Sequence, residues 1–321
     1  MVKPLSQRIT DSRLLLGNPY AYLDDIGGFS ALPDIRLVSA DKIAASRLKL
    51  QDPYAHLDEF GDFSAALPTP GSAVRNVGAQ SVGRFASLLQ NKRKHGRLAY
   101  ADIESQAIQL QRMMWQERMD IWPSGAPSNP IDMLDPAVAF QLLGFDYEIA
   151  EGLGQYFIDG QHVEVAGLID DSSMEIRISR KFPKVVQNFT AAHELGHALL
   201  HDARGLHRDR PLDGSSLPQD PIETEANKFA SYFLMPAKLV KQHFERLFGT
   251  AYFVLDEDTR FALSRGGFLN LTKCQTTRDL SRVLASVENY NGVRFPSLGS
   301  LFQVSTETMA IRLEELGLLP V

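Results

Sequence analysis

The chain has very little cysteine: Cys274 is the single one among 321 residues. One cysteine cannot form an internal disulfide or a thiolate zinc cluster, so the cysteine content gives no indication of secretion. No apolar run approaches the ~20 residues of a membrane-spanning helix. The first twenty residues contain only the short run Leu14 to Leu16, which is too short for the core of a signal peptide. These absences lead us to expect a protein of the cytoplasm.

The chain also lacks an excess of positive charge. Its formal net charge is −6, which argues against a protein that coats nucleic acid or lies on an anionic membrane. Apolar residues make up 44% and charged residues 22%, as is ordinary for a soluble globular protein, and the length allows more than one domain. We expect an N-terminal arm over residues 1–82, a domain over 83–236 and a helical region over 237–321.

Hydrophobic periodicity predicts the elements of the first half of the domain. Ile103, Ala107, Leu110 and Met114 recur at helical spacing and predict one buried helix face. The Pro-rich segment 122–136 is expected to be irregular, and a short helix to start after Asp135-Pro136 and to stop before Gly144. Three stretches then show strand patterns, with Asp159-Gly160 as a hairpin turn: FDYEIA (145–150), YFIDGQHVEVAGLI (156–169) and MEIRISR (174–180).

A second helical pair follows the strands. A long helix is predicted after Pro183, and another from about Ile222 to Leu234, where Pro236 ends it. The segment between them, residues 202–221, is polar and rich in Gly and Pro, so it is predicted to be a loop.

The first helix of this pair contains FTAAHELGHALLHD (189–202), in which His193 and His197 are four residues apart. On a helix this spacing puts both imidazoles on one face, where they can bind one cation, and nitrogen ligands suit Zn²⁺. Glu194 is rotated by ~100° from His193. It is therefore poorly placed to join the metal but well placed to take a proton from a water on it, as in metal-dependent hydrolases. The alternative is a chance match on an ordinary helix; the small residues around the motif, such as Gly196, argue against it because they admit a second backbone.

The third ligand has to come from another segment. An extended HExxHxxGxxH motif is excluded, since Leu200 and Ala203 occupy its Gly and His positions. His201 lies one turn beyond His197 but is expected to be too far along the helix to ligate, and we assign it to holding a ligand or the loop. In ETEANKFASYFLMP (223–236), Glu223 and Asn227 share a helix face, as a carboxylate ligand and a residue that holds a ligand imidazole would. Glu225 is the alternative ligand, but we expect it to face solvent.

These two segments together resemble the ImmA/IrrE family of metallopeptidases, whose pattern is HExxH followed by ExxAN-x-FA and Met-Pro. The resemblance covers roughly residues 130–240. It implies that His193, His197 and Glu223 bind Zn²⁺, that Glu194 is the general base, and that Asn227 holds a ligand. We also expect Mn²⁺ in exchange, since two imidazoles and a carboxylate accept either ion. It also implies an α+β, zincin-like fold with a small mixed or antiparallel sheet packed on the two active-site helices.

The resemblance further implies a substrate class. Described members of the family are intracellular endopeptidases that cleave helix-turn-helix repressors and so release genes for mobile-element transfer or the stress response. We therefore expect a zinc endopeptidase that acts on a repressor or antitoxin. A metal-stabilised module that binds such a partner without cleaving it is the alternative, although binding alone does not require Glu194. A DNA-binding regulator, which would bind duplex DNA tightly and with strong salt dependence, is the third reading.

Two segments bear on nucleic acid. Residues 297–319 have the outline of a helix-turn-helix with Ser305 as the cap of the second helix. That helix contains Glu307, Glu314 and Glu315 against a lone Arg312, so we expect a structural or protein-docking role rather than base reading. The basic run NKRKHGR (91–97) is either a local nucleic-acid contact or, as we prefer, a solvated loop or helix start.

The arm contains an internal repeat. SRLLLGNPYAYLDDIGGFSA (12–31) returns as SRLKLQDPYAHLDEFGDFSA (46–65), with thirteen of twenty positions identical. Neither copy has enough apolar periodicity for a core of its own, so we expect the arm to be disordered or to lie over the catalytic domain. The copies are two docking motifs for a partner, a pseudo-substrate that restrains the enzyme, or an inert duplication. Deletion of residues 1–82 distinguishes these: docking predicts weaker partner binding, autoinhibition predicts faster cleavage, and an inert duplication predicts neither.

Overall fold

The computed structural model describes residues 85–92, 97–158, 161–202, 206–209, 221–265, 274 and 276–320. The N-terminal arm with its two repeats lies outside the described residues, as do residues 93–96 of the basic run. Within them, helices and small sheets form a mixed structure that agrees with the predicted α+β class.

The first described helices follow the predicted pattern. Helix α1 spans Tyr100–Gln116, and its predicted face is buried, from Ile103 to Met114. A single turn, α2, spans Arg118–Ile121, and the Pro-rich segment after it contains one 3-10 turn, Pro130–Met133. Helix α3 spans Pro136–Leu143. Its start is fixed by Asp135, whose carboxylate accepts the Ala137 N–H at 2.8 Å, and it ends at Gly144, whose φ of 91° is the left-handed conformation typical of a helix end.

The predicted strands are present. They are β1 Asp146–Ala150, β2 Gln155–Ile158, β3 Gln161–Glu164, β4 Gly167–Asp170 and β5 Glu175–Ser179. Strands β2 and β3 pair antiparallel with Ile158 opposite Gln161, and the two residues of the predicted hairpin turn lie outside the described residues. Strand β1 is parallel to β5, and β4 is antiparallel to β5, so the sheet is mixed.

One strand lies where the sequence predicts only loop. Strand β6, Leu206–Asp209, pairs antiparallel with β4 and completes a four-stranded sheet of order β1-β5-β4-β6. The prediction that residues 202–221 are loop throughout is therefore wrong. Its sequence, LHRD, has one apolar residue and therefore no strand pattern of its own. Its pairing depends on the edge that β4 offers.

The motif-bearing helices face each other beside this sheet. Helix α4 spans Lys184–Leu200 and contacts β4 and β5, and helix α5 spans Pro221–Leu234 and contacts α4. The two helices approach closely at Gly196, where an added Cβ would lie 3.0 Å from both Cα and the carbonyl oxygen of Ala226. The small residues of the motif thus allow the two backbones to meet, as the sequence predicts.

The C-terminal region is mainly helical. Its elements are α6 Ala237–Phe248, α7 Glu257–Ser264, α8 Thr277–Ser286, the short strands β7 Asn289–Tyr290 and β8 Val293–Arg294, α9 Leu298–Leu301 and α10 Thr306–Glu315. Ser305 caps α10 as predicted, since its side chain accepts the Thr308 N–H at 3.1 Å. No helix in the described part of the chain is long and apolar enough to cross a membrane.

The acidic residues of α10 face arginines of α8. Arg278 forms ion pairs with Glu307 and Glu314, both at 2.7 Å, and Arg282 pairs with Glu307 at 2.6 Å. These arginines hold the pKa values of Glu307 and Glu314 below the ordinary glutamate value. The carboxylates of Glu307 and Glu314 therefore belong to the interface between α8 and α10.

Candidate metal centre

The two histidines of the motif meet on one face of α4. Their Nε2 atoms are 2.9 Å apart, and the rings lie edge to face with centroids separated by 4.6 Å. Both side chains are buried, with His193 fully covered and His197 exposed by 2%. Two imidazole nitrogens this close share one small volume, as the four-residue spacing predicts.

Glu223 at the start of α5 brings a carboxylate into the same volume. Its Oε2 lies 3.3 Å from Nε2 of His193, and its Oε1 lies 3.6 Å from Nε2 of His197. In a tetrahedral site with bonds of ~2.0–2.1 Å, two ligand atoms are separated by roughly 3.3 Å. The three observed separations scatter around that value, so the donor set His193, His197 and Glu223 has the chemistry and spacing to hold a metal ion.

Asn227 sets the tautomer of His193. The Nδ1–H of His193 donates to Oδ1 of Asn227 at 2.8 Å. Because a neutral imidazole has one protonated nitrogen, this hydrogen bond leaves the lone pair of His193 on Nε2, the atom that faces His197 and Glu223. Asn227 lies one turn after Glu223 on α5, as the sequence predicts. The second helix thus supplies both a candidate ligand and the group that orients another.

Glu194 lies next to this centre and is fully buried. It belongs to a different side of α4 from the histidines and faces Gly167, the first residue of β4. Glu223, by contrast, has a side chain that is 26% exposed. Glu194 is thus a buried carboxylate directly after His193 in the chain, and proton transfer remains its predicted role.

Glu225 does not face solvent, so that prediction is wrong. It is only 3% exposed; its Oε2 lies 3.0 Å from Nε2 of His201, and its Oε1 accepts the Leu98 N–H at 2.8 Å. His201 therefore links the end of α4 to α5, and in this contact it holds neither a candidate ligand nor the loop, the two roles predicted for it. A buried histidine needs an acceptor, and this need is the signal in the sequence that could have indicated Glu225.

Two further side chains secure α5 from distant parts of the chain. The side-chain amide of Gln111 in α1 donates to the carbonyls of Tyr232 and Phe233, each at 3.0 Å. Nε of Arg312 in α10 donates to the carbonyl of Met235 at 3.1 Å, and its guanidinium lies 4.8 Å from the centre of the Tyr232 ring. Arg312 is 3% exposed, so the lone cation predicted on α10 is turned toward α5.

The segment that contains the residues of the candidate metal centre is similar to a known protein family. Residues 150–255 match the model of the IrrE N-terminal-like domain, which defines a family of peptidases. This segment is therefore an ImmA/IrrE-type domain. The match contains β4, the whole of α4 and α5, and all five of the predicted site residues. No curated protein sequence matches the chain at a significant level.

The match of this segment gives the centre a chemical context. The family is one of peptidases. The three residues with converging donor atoms, His193, His197 and Glu223, are those that the sequence resemblance predicts as metal ligands. The family segment ends before α7, whereas Gln111 and Arg312 lie outside it on either side. Elements beyond the family domain therefore take part in holding α5.

Proposed function

We propose that this ImmA/IrrE protein is a zinc-dependent endopeptidase that cleaves a regulatory protein, a helix-turn-helix transcriptional repressor or an antitoxin. The observation that carries the proposal is the convergence of three donor atoms within 4.8 Å of one another, next to a buried carboxylate in a peptidase domain. The substrate class is supported by the family resemblance. A substrate of this kind also implies that the protein acts inside the cell.

His193, His197 and Glu223 would hold the metal. Two imidazoles and one carboxylate suit Zn²⁺ and also accept Mn²⁺, which we propose as an exchangeable ion. When bound, the ion supplies a Lewis acid that lowers the pKa of a water molecule and polarises the carbonyl of the scissile peptide bond. Asn227 holds Nδ1–H of His193 and thereby keeps the Nε2 lone pair directed at the ion.

Glu194 moves the proton. In peptide hydrolysis an oxygen–carbon bond forms between water and the carbonyl carbon, and the carbon–nitrogen bond breaks. The carboxylate of Glu194 accepts the proton that the water loses and then donates it to the leaving amine nitrogen. Its complete burial keeps bulk water away from the carboxylate, so less solvent has to reorganise at the moment of transfer.

The decisive experiment uses candidate repressors or antitoxins as substrates. Each is incubated with the full chain, with and without a chelator, and the products are identified by mass spectrometry. We expect a defined pair of fragments that disappears when the chelator is present. The Glu194→Gln variant should retain the metal but cleave ~10²-fold or more slowly, since glutamine keeps the shape and removes the base.

The same experiment tests the alternative of a binding module. If a stable complex forms with the full chain and with Glu194→Gln but no fragments appear with either, the protein binds its partner without cleaving it. Cleavage that continues unchanged in Glu194→Gln would exclude the mechanism above. Cleavage that survives complete metal removal would exclude the metal.

A further inference from the structure

Gly167, the first residue of β4, lies directly against the carboxylate of Glu194. A Cβ added to this glycine would be 2.6 Å from Oε1 of Glu194, 3.2 Å from Cγ of Glu194 and 2.7 Å from Cγ2 of Thr190. Carbon contacts are most favourable at ~3.5–4.0 Å, so a methyl group here would overlap its neighbours. The volume that a side chain of residue 167 would need is occupied by Glu194.

The backbone conformation does not explain the glycine. Gly167 is absent from the residues of positive φ, so an L-residue could adopt its conformation. Glycine is also unfavourable within strands, because it adds no packing and loses more backbone entropy on folding. The requirement for glycine at this position is therefore one of space.

Strand β4 cannot move away to make that space. Gly167 is paired on one side with Ile178 of β5 and on the other with Asp209 of β6. The carbonyl of the preceding residue, Ala166, accepts the Ser179 N–H at 2.8 Å. Both edges of the strand are thus held by ladder hydrogen bonds, and a shift of β4 would break several of them.

Helix α4, on the other side of this space, cannot move away either. Thr190 is fully buried, and it lies one turn before Glu194 on the face of α4 that packs against β4. The helix itself is held on its other side by the close approach of α5 at Gly196. Of the atoms that a methyl group would meet, only the end of the Glu194 side chain has the freedom to leave.

We infer that Gly167 is a positioning residue, whose missing side chain leaves the space in which the Glu194 carboxylate is held. The catalytic consequence rests on the function proposed above. The expected displacement of the Glu194 carboxylate does not rest on that function, because it concerns only the position of this carboxylate relative to strand β4. Substitution of Gly167 by alanine displaces the base while leaving His193, His197 and Glu223 in position.

The test is the Gly167→Ala variant of the full chain. In its crystal structure we expect Oε1 of Glu194 to move by about 1 Å or more, the distance that relieves the overlap, with the two histidine rings unmoved. Metal content should equal that of the unaltered protein. The kcat for cleavage should fall by about 10²-fold, as a misplacement of that size in a reacting group does, with a much smaller change in KM.

A double-mutant comparison separates an effect through Glu194 from general damage. In the Glu194→Gln background the base is already absent, so adding Gly167→Ala should lower the rate little further. A merely structural defect would instead lower the rate by the same factor in both backgrounds. Equal factors, or a Glu194 side chain that stays in place in the crystal structure, would overturn the inference.

One further variant serves as a control, and a second is used if Gly167→Ala does not fold. Gly152→Ala adds the same methyl group 2.8 Å from Cε of Lys181, an exposed and flexible side chain that can move aside, so we expect normal structure and rate. If Gly167→Ala fails to fold, Thr190→Ser is added, because it removes Cγ2 and leaves the contact with Glu194. We expect the double variant to fold and remain slow; a normal rate would contradict the inference. If the unaltered protein cleaves no peptide, the proposed function fails, and the position of Glu194 in the variant crystal structures still decides the role of Gly167.

Discussion

At the scale of single residues, hydrogen bonds around the imidazoles decide which nitrogens are able to bind a cation. His193 directs Nε2 into the centre because its Nδ1–H is engaged by Asn227. We predict that Asn227→Ala weakens metal affinity ~10–100-fold, the usual effect of removing the partner of a ligand histidine. Asn227→Asp should retain affinity close to normal, since a carboxylate accepts the same hydrogen bond.

Competition with a chromophoric chelator measures this affinity. Asn188→Ala provides a control, because Asn188 is also an asparagine whose side chain bonds another segment. It is in α4 and donates to the carbonyl of Gln303. An unchanged affinity in Asn227→Ala, or an equal loss in Asn188→Ala, would show that Asn227 does not orient His193.

Residues related by helical spacing could be predicted from the sequence, whereas residues related through distant contacts could not. His193 and His197, like Glu223 and Asn227, are separated by one helical turn, so local geometry alone places each pair on one face. The burial of Glu225 depends on Leu98, which is 127 residues away in the chain. No local sequence pattern contains that contact. The prediction that Glu225 faces solvent used only its position on the helix, and it was therefore wrong.

At the scale of elements, the relation between α4 and α5 depends on Gly196. Two effects oppose each other in Gly196→Ala. Alanine is favoured over glycine inside a helix by ~1 kcal/mol. Its Cβ, however, would lie 3.0 Å from two backbone atoms of Ala226, and backbone cannot move aside without moving the whole helix. Overpacking of this kind costs ~1–3 kcal/mol, so we expect the clash to prevail.

Gly196→Ala should therefore lower the midpoint of urea unfolding and also weaken metal binding, because α4 holds two candidate ligands and α5 the third. Unfolding is followed by circular dichroism on metal-free protein, which separates the packing effect from the contribution of the ion. A midpoint that rises would mean that helix propensity prevails and that the two helices have room to separate.

Elements with a long hydrophobic pattern or a recognisable cap could be predicted from the sequence. Strand β6, which depends on pairing with its neighbour, could not. The Asp135 cap and Gly144 end fix α3 locally, so its bounds follow from sequence. Strand β6 has only four residues and exists as a strand because β4 offers an edge. Edge pairing of so short a segment is a tertiary property, and its sequence carries turn signals instead.

At the scale of the whole molecule, the family domain depends on parts of the chain outside it. The segment 150–255 contains both ligand-bearing helices. Yet α5 is held by Leu98 and Gln111 from the N-terminal side and by Arg312 from the C-terminal side. Removing one partner of a buried hydrogen bond costs ~1–3 kcal/mol, and a domain is stable by only ~5–15 kcal/mol in total. Loss of all three contacts is thus comparable with the whole stability of such a domain.

We therefore predict that a fragment of residues 150–255 does not unfold cooperatively and binds Zn²⁺ much more weakly than the full chain, even though it contains every candidate ligand.

Within the full chain, Arg312→Ala should lower stability by ~1–3 kcal/mol because the buried Met235 carbonyl loses its donor. Calorimetric unfolding and chelator competition measure both effects, with Arg294→Ala, at the exposed β8 hairpin, as the control. A fragment that unfolds cooperatively and binds the ion as tightly as the full chain would mean that the C-terminal helices are not needed to hold Glu223. The contacts of Arg312 would then have to serve something other than the metal centre.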